Sequence, residues 1–116
     1  MQTPLQITFR HMEHSDALDA RIREEVDKLE TLYDRITRCH VTVDLPHNHQ
    51  RHGKHFTVRV EVSIPNDTIV IARDPADDPT AEDPYAAVSE AFDLARRQLQ
   101  TRVDRMRGDV KRHAQG

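Results

Sequence analysis

The sequence predicts an α+β domain of element order β-α-β-β-β-α, with a four-stranded sheet and two helices packed on one face. Four stretches alternate apolar and polar residues with the period of a strand, and two longer stretches repeat apolar residues every three or four positions. At 116 residues the chain is long enough for one hydrophobic core and too short for two. The helices are expected to cover the apolar sheet face, leaving the other face to water.

The first strand and the first helix are predicted between residues 5 and 33. Leu5, Ile7 and Phe9 alternate with polar residues, as in a strand with one face buried. Ser15 or Asp16 is a plausible N-cap for the helix that follows. Its apolar stripe consists of Leu18, Ile22, Val26 (with Glu25 beside it), Leu29 and Tyr33. These steps predict an amphipathic helix of roughly seventeen residues.

Three further strands are predicted in succession, as an antiparallel meander. Apolar and polar residues alternate through 39–45 and again through 56–64. Pro65-Asn66-Asp67 is a strong turn signal, and residues 68–72 form a shorter strand after it.

The last predicted helix begins after Asp83, a suitable N-cap, with Pro84 at the first helical position. Its apolar stripe consists of Tyr85, Val88, Phe92, Ala95, Leu99, Val103 and Met106. From Leu94 onward seven basic residues face only two acidic ones, a net charge of +5 in a chain whose total is −3. A helix anchored at one end and cationic at the other favours an anionic partner such as RNA. Basic residues also complement the dipole of a helix C-terminus, and this alternative stays open.

The sequence offers no pattern of a catalytic or cofactor site. Glycine occurs only at positions 53, 108 and 116, so there is no phosphate-binding loop, and no nucleophile elbow is present. Cys39, bordered by alternating valines, is expected to be a small buried hydrophobic residue. No run of eighteen apolar residues and no signal peptide is visible. We therefore expect a cytoplasmic, non-enzymatic protein without a cofactor, a small-molecule substrate or a membrane contact.

Two loops have unusual compositions. Histidines at positions 47, 49, 52 and 55 raise the possibility of a metal site, but their spacing matches no zinc pattern and we predict no metal there. The alternative is a weakly basic loop that touches phosphate. Residues 74–83 hold five acidic and no basic residues, which indicates a solvated linker rather than a calcium site.

Three short motifs occur in the order seen in a known family. The first joins ITFRHME at 7–13 to DKLE at 27–30, the second is DPYAAV at 83–88, and the third is RQL at 97–99. Over about residues 5 to 107, these motifs resemble the ribosome hibernation promoting factors, the family that includes the ribosome-associated inhibitor and is also known as sigma-factor modulation proteins.

The resemblance implies a fold similar to a double-stranded-RNA-binding domain and a function without catalysis. Members occupy the mRNA and tRNA channel of the small ribosomal subunit in stationary phase, contact its rRNA with basic side chains of both helices, and block translation. We accordingly expect a single ribosome-binding domain over residues 1–116, with a core at about 5–107 and a basic tail at 108–116. Its expected partners are the rRNA and proteins of the small subunit. The sequence corresponds to the short type of the family or to a piece of a longer member.

The RNA-binding residues are predicted from two sources. Lys28 and Arg97 match the family motifs, and Arg10 lies where members often carry a basic residue. The charge pattern adds Arg96, Arg102 and Arg105.

Three departures from the family reduce the positive charge. Leu94 replaces a common lysine, Asp19 and Glu25 replace basic residues of the first helix, and the acidic loop is longer than usual. We therefore expect weaker or differently placed rRNA binding. The alternative function is a protein-binding regulatory module that uses the polar sheet face or the acidic loop without RNA contact.

Overall fold

The structure is a computed structural model, which describes residues 3–46, 55–72 and 82–115, with side chains described up to residue 108. Its six elements follow the predicted order, and the α+β prediction is confirmed. The elements are β1 (Leu5–Arg10), α1 (Asp16–Leu32), β2 (Arg38–Asp44), β3 (Thr57–Ile64), β4 (Asp67–Ala72) and α2 (Pro84–Gln115).

The four strands form one mixed sheet in the order β1-β2-β3-β4. β1 is parallel to β2, whereas β2, β3 and β4 form the predicted antiparallel meander. The register places Ile7, Val41, Val60 and Ile71 side by side across all four strands. Because side chains alternate along each strand, this row lies on the face that the helices cover, and the three meander members are buried.

Helix α1 begins where its sequence predicts, but Tyr33, which was predicted to belong to its apolar stripe, lies just beyond its last residue. The hydroxyl of Ser15, the N-cap, accepts a hydrogen bond from the backbone N–H of Leu18 at 3.2 Å. The helix runs for 17 residues and ends where Tyr33 turns extended. Farther along α1, Thr3 donates from its N–H and its hydroxyl to Glu30 Oε2, at 2.9 and 2.7 Å, which ties the chain before β1 to the helix.

Helix α2 is 32 residues long and extends past the sheet. Asp83 Oδ1 accepts from the N–H of Tyr85 at 2.9 Å, which confirms the predicted cap. At 1.5 Å per residue the helix is about 48 Å long, whereas a strand of eight residues spans about 26 Å. The prediction that Tyr85 and Met106 belong to the buried stripe is therefore wrong, since they are 39% and 36% exposed. Between them, Phe92 and Leu99 are fully buried.

Candidate nucleic-acid interface

The basic residues of α2 point in several directions around the helix axis. Relative to the buried Val88, a rotation of about 100° per residue places Arg97 on the opposite, outward face. Arg105 lies about 80° farther round, and both side chains are exposed. Arg96 and Arg102 lie on opposite flanks of the helix and are half-buried.

The flank that holds Arg96 faces α1. Arg21 Nη2 of α1 donates to Ser89 Oγ of α2 at 2.8 Å, and the end of α1 shares a cleft of about 720 Å³ with Val103 and Met106. The two helices therefore run in the same direction. The offset of 68 positions between Arg21 and Ser89 places Lys28 at the level of Arg96. The structure thus brings Lys28 and Arg96 to one interhelical groove.

A buried carboxylate lies between the cations of α1. Glu25 is only 4% exposed, and its Oε2 lies 3.1 Å from Lys28 Nζ and 3.7 Å from Arg21 Nε. A carboxylate in this position is stabilised by its cations and in turn offsets much of their charge. The α1 side of the groove is therefore a compact ion network rather than a row of free cations.

Two of the predicted RNA-binding residues on α2 also have acidic partners. Arg96 donates to Asp93 one turn before it. Arg102 Nε lies 3.2 Å from Asp67 Oδ2 at the start of β4. Together with Lys28, three of the six predicted residues are held by carboxylates.

Arg97 and Arg105 have no ion pair within the parts of the chain that the structure describes. Arg97 borders a shallow depression of about 350 Å³ whose lining also includes Glu90 and Asp93. Arg97 and Arg105 on the outer face, and the exposed Arg107 on the flank toward α1, can therefore meet a phosphate without first leaving a partner.

Arg10 lies on a different surface. It is the exposed last residue of β1, and the strand alternation puts it on the polar sheet face, away from both helices. Its register neighbour is Asp44. The Oδ1 atom of Asp44 lies 2.8 Å from His11 Nδ1. The structure does not bring Arg10 together with the cations of α2.

Sequence reasoning missed the role of Arg21 and Glu25 as joint members of the groove. The signal was present, since Glu25 stands beside Val26 in the apolar stripe of α1. A helix position next to the stripe is buried only if a second helix flanks it, and the sequence did not show on which side α2 would lie.

Other chemistry in the described chain is structural. Cys39 is 1% exposed, as predicted, and burial, with a smaller contribution from the Glu30 carboxylate, raises its pKa to about 12. Within residues 3–46, 55–72 and 82–108 no group of three or more metal-ligating side chains comes together. Most of the histidine-rich loop and most of the acidic loop lie outside the described residues. His55 is described, and its Nε2 lies 3.5 Å from Glu82 Oε1.

No helix in the described part of the chain is long and apolar enough to cross a bilayer. The predicted absence of a membrane contact stays a prediction.

Comparison with known proteins identifies one family, and solved structures of similar fold include the two that follow. Residues 5–107 match the family described as sigma 54 modulation protein / S30EA ribosomal protein. The N-terminal domain of Protein Y from Thermus thermophilus has a TM-score of 0.66 at 18% sequence identity, covering 86% of this chain and 98% of that one. A ribosomal subunit interface protein from Coxiella burnetii has a TM-score of 0.62 at 20% identity, covering 91% and 99%. No curated protein sequence matches the chain.

At these identities the two structures show a shared fold, and the family match carries the assignment. That match spans most of the chain and confirms the resemblance of the three motifs. The family is of a ribosome-associated, non-enzymatic kind, which also confirms the prediction that the protein is not an enzyme. The chain belongs to the sigma 54 modulation protein / S30EA ribosomal protein family.

Proposed function

We propose that this protein binds the small ribosomal subunit in the cytoplasm, occupies the mRNA and tRNA channel through contacts to rRNA, and inhibits translation under stress. The observation that carries the proposal is the family match over residues 5–107. A structural relative that is a ribosomal subunit interface protein supports it at the level of the fold.

The outer face of α2 is the proposed main contact surface. Arg97 and Arg105 are exposed on a rigid helix, and a guanidinium presents a planar fork to phosphate oxygens. Folded RNA is recognised largely by its shape and backbone, which suits cations at fixed spacing and needs no contact to base edges. Binding is therefore expected to depend little on sequence and strongly on salt.

The remaining predicted residues have smaller proposed roles. Lys28, Arg96 and Arg102 each leave a carboxylate when they bind a phosphate, so their net gain is reduced. Arg10 contacts RNA only if the subunit also reaches the polar sheet face. We propose that these four residues contribute less to the binding free energy than Arg97 and Arg105.

Co-sedimentation with isolated small subunits over a series of salt concentrations tests the proposal. The double variant R97E/R105E reverses two cations of the outer face. The matched control R38E/R59E makes the same change in charge at two exposed arginines of the polar sheet face. Thermal unfolding of both variants controls for the fold.

We expect R97E/R105E to weaken binding by about tenfold or more and to lower the salt slope of log K by about 2, whereas the control stays near wild type. Equal losses in both variants would show that only net charge matters. Binding by the wild-type protein with no salt dependence would instead support the protein-binding module.

A further inference from the structure

The outer edge of β4 carries unpaired backbone groups. β4 is the last strand of the sheet and pairs only with β3, and nothing in the described part of the chain pairs with its other edge. Such an edge is a template for a further strand unless charge, proline or a bulge blocks it. The edge of β4 is therefore the place to look for a partner.

The hairpin geometry shows which groups are free. The two-residue turn Pro65–Asn66, with Asn66 at φ 68°, makes Ile64 and Asp67 the closing hydrogen-bonded pair of the ladder. Bonding alternates along an antiparallel strand, so Ile69 and Ile71 also bond to β3. The backbone groups of 68, 70 and 72 consequently point outward. The N–H of Thr68 fits this pattern, since it donates to Asp67 Oδ1 at 2.8 Å instead of to β3.

The edge lacks the usual protection against strand addition. β4 has the sequence DTIVIA, without lysine, arginine or proline, and its register with β3 is continuous. Asp67 is its one charged residue, and Arg102 Nε lies 3.2 Å from that carboxylate. At the middle of the strand Val70 is 43% exposed on the polar sheet face.

We propose that a second copy of this chain pairs with β4 in an antiparallel manner, with Val70 on the two-fold axis. This pairing goes beyond the proposed ribosomal function. The pattern of outward-pointing groups suits it, because 70 meets 70 and 68 meets 72 of the second copy as hydrogen-bonded pairs, with the Thr68 N–H exchanging Asp67 for residue 72. Val70 then packs on Val70 across the axis, and Ile69 lies next to Ile71 of the second copy on the helix-covered face. A two-fold interface requires such self-complementarity, and no like charges meet within 68–72.

Sedimentation equilibrium of the full chain from micromolar to millimolar concentration tests the pairing. We expect a concentration-dependent dimer for the wild type. V70K, which places two cations on the axis, should raise the dissociation constant at least tenfold. V70T keeps a β-branched side chain and the backbone ladder, and it should stay within about threefold of wild type. T68K is a second variant at the same edge, and thermal unfolding of each variant shows whether the fold persists.

A cross-link gives an independent measurement. Paired residues of this kind have Cα atoms about 5.5 Å apart, within the range of a disulfide. Because native Cys39 is buried, the V70C variant has one exposed thiol. Under mild oxidation V70C should form covalent dimers faster than T101C, a control on the outer face of α2. A wild-type protein that stays monomeric throughout, or V70K and T68K dimers as stable as wild type, would overturn the proposal.

Discussion

Helices α1 and α2 cover the same sheet face but have opposite charge. α1 holds six acidic and three basic residues, a net charge of −3, within its 17 residues. α2 holds seven basic and four acidic residues, a net charge of +3, and its 32 residues extend past the sheet. Two helices on the same sheet face thus present an acidic surface in one case and a basic surface in the other.

The ion pairs make this difference larger. Every cation of α1 has a carboxylate partner on the same helix: Arg21 and Lys28 contact Glu25, and Arg23 contacts Asp19. On α2, by contrast, Arg97, Arg105 and Arg107 have no ion pair among the described residues. The family resemblance implies that both helices bind rRNA. In this chain we propose that α2 makes most of the contact, with α1 mainly positioning it.

The largest expected effect is on the free energy of unfolding, which should depend on the buried part of α2 much more than on its exposed extension. Phe92→Ala removes a fully buried ring and should lower the free energy of unfolding by about 3–5 kcal/mol. Ile22→Ala on α1 should cost about 2–5 kcal/mol for the same reason. Met106→Ala should cost less than about 1 kcal/mol, since Met106 is 36% exposed. Chemical denaturation measures all three, and a large loss for Met106→Ala would show that the extension is packed like the rest.

A pH effect reports the burial of Cys39 in the core and, to a smaller extent, its proximity to the Glu30 carboxylate of α1. The Cys39 thiol has a pKa of about 12 in the folded state and 9.0 as its ordinary value, first through burial and second through Glu30 of α1. The unfolded chain loses this proton at lower pH than the folded chain does. Stability should therefore be unaffected below pH 9.0 and fall between pH 9.0 and 12, by up to about 1.4 kcal/mol per pH unit from this group.

Cys39→Ala is the comparison, measured by denaturation at several pH values. The variant should be less stable than wild type near neutral pH because it leaves a small cavity, but its stability should fall less steeply above pH 9.0. Parallel pH profiles for the two proteins would contradict the assigned environment of the thiol.

A smaller effect, on affinity for the small subunit, tests whether Glu25 prevents Arg21 and Lys28 from binding phosphate. Glu25→Gln removes the buried charge and releases Arg21 and Lys28 toward solvent, so small-subunit affinity should rise by about threefold. Glu24→Gln makes the same change in net charge at an exposed position and is the matched control. If both variants gain equally, the ion network has no specific effect on binding.

The sequence was sufficient for the order of the elements and for the starts of both helices. Alternation marked the strands, and Ser15 and Asp83 marked the two helix starts, because these signals are local. It was not sufficient for the burial of Glu25 or for the pairing of Arg102 with Asp67, which is 35 positions away in the chain. Such contacts depend on how α2 lies against α1 and β4, and no local pattern encodes that placement. The exposure of Tyr85 and Met106 depends likewise on where the sheet ends beneath the helix.

The most direct test compares equal losses of charge on the two helices. R97Q/R105Q on α2 and R23Q/K28Q on α1 each remove two positive charges from exposed side chains. Affinity for the small ribosomal subunit is measured at one moderate salt concentration. We expect the α2 variant to bind about tenfold more weakly and the α1 variant to stay within about threefold of wild type. Equal losses, or a larger loss for the α1 variant, would contradict the account that α2 carries the contact.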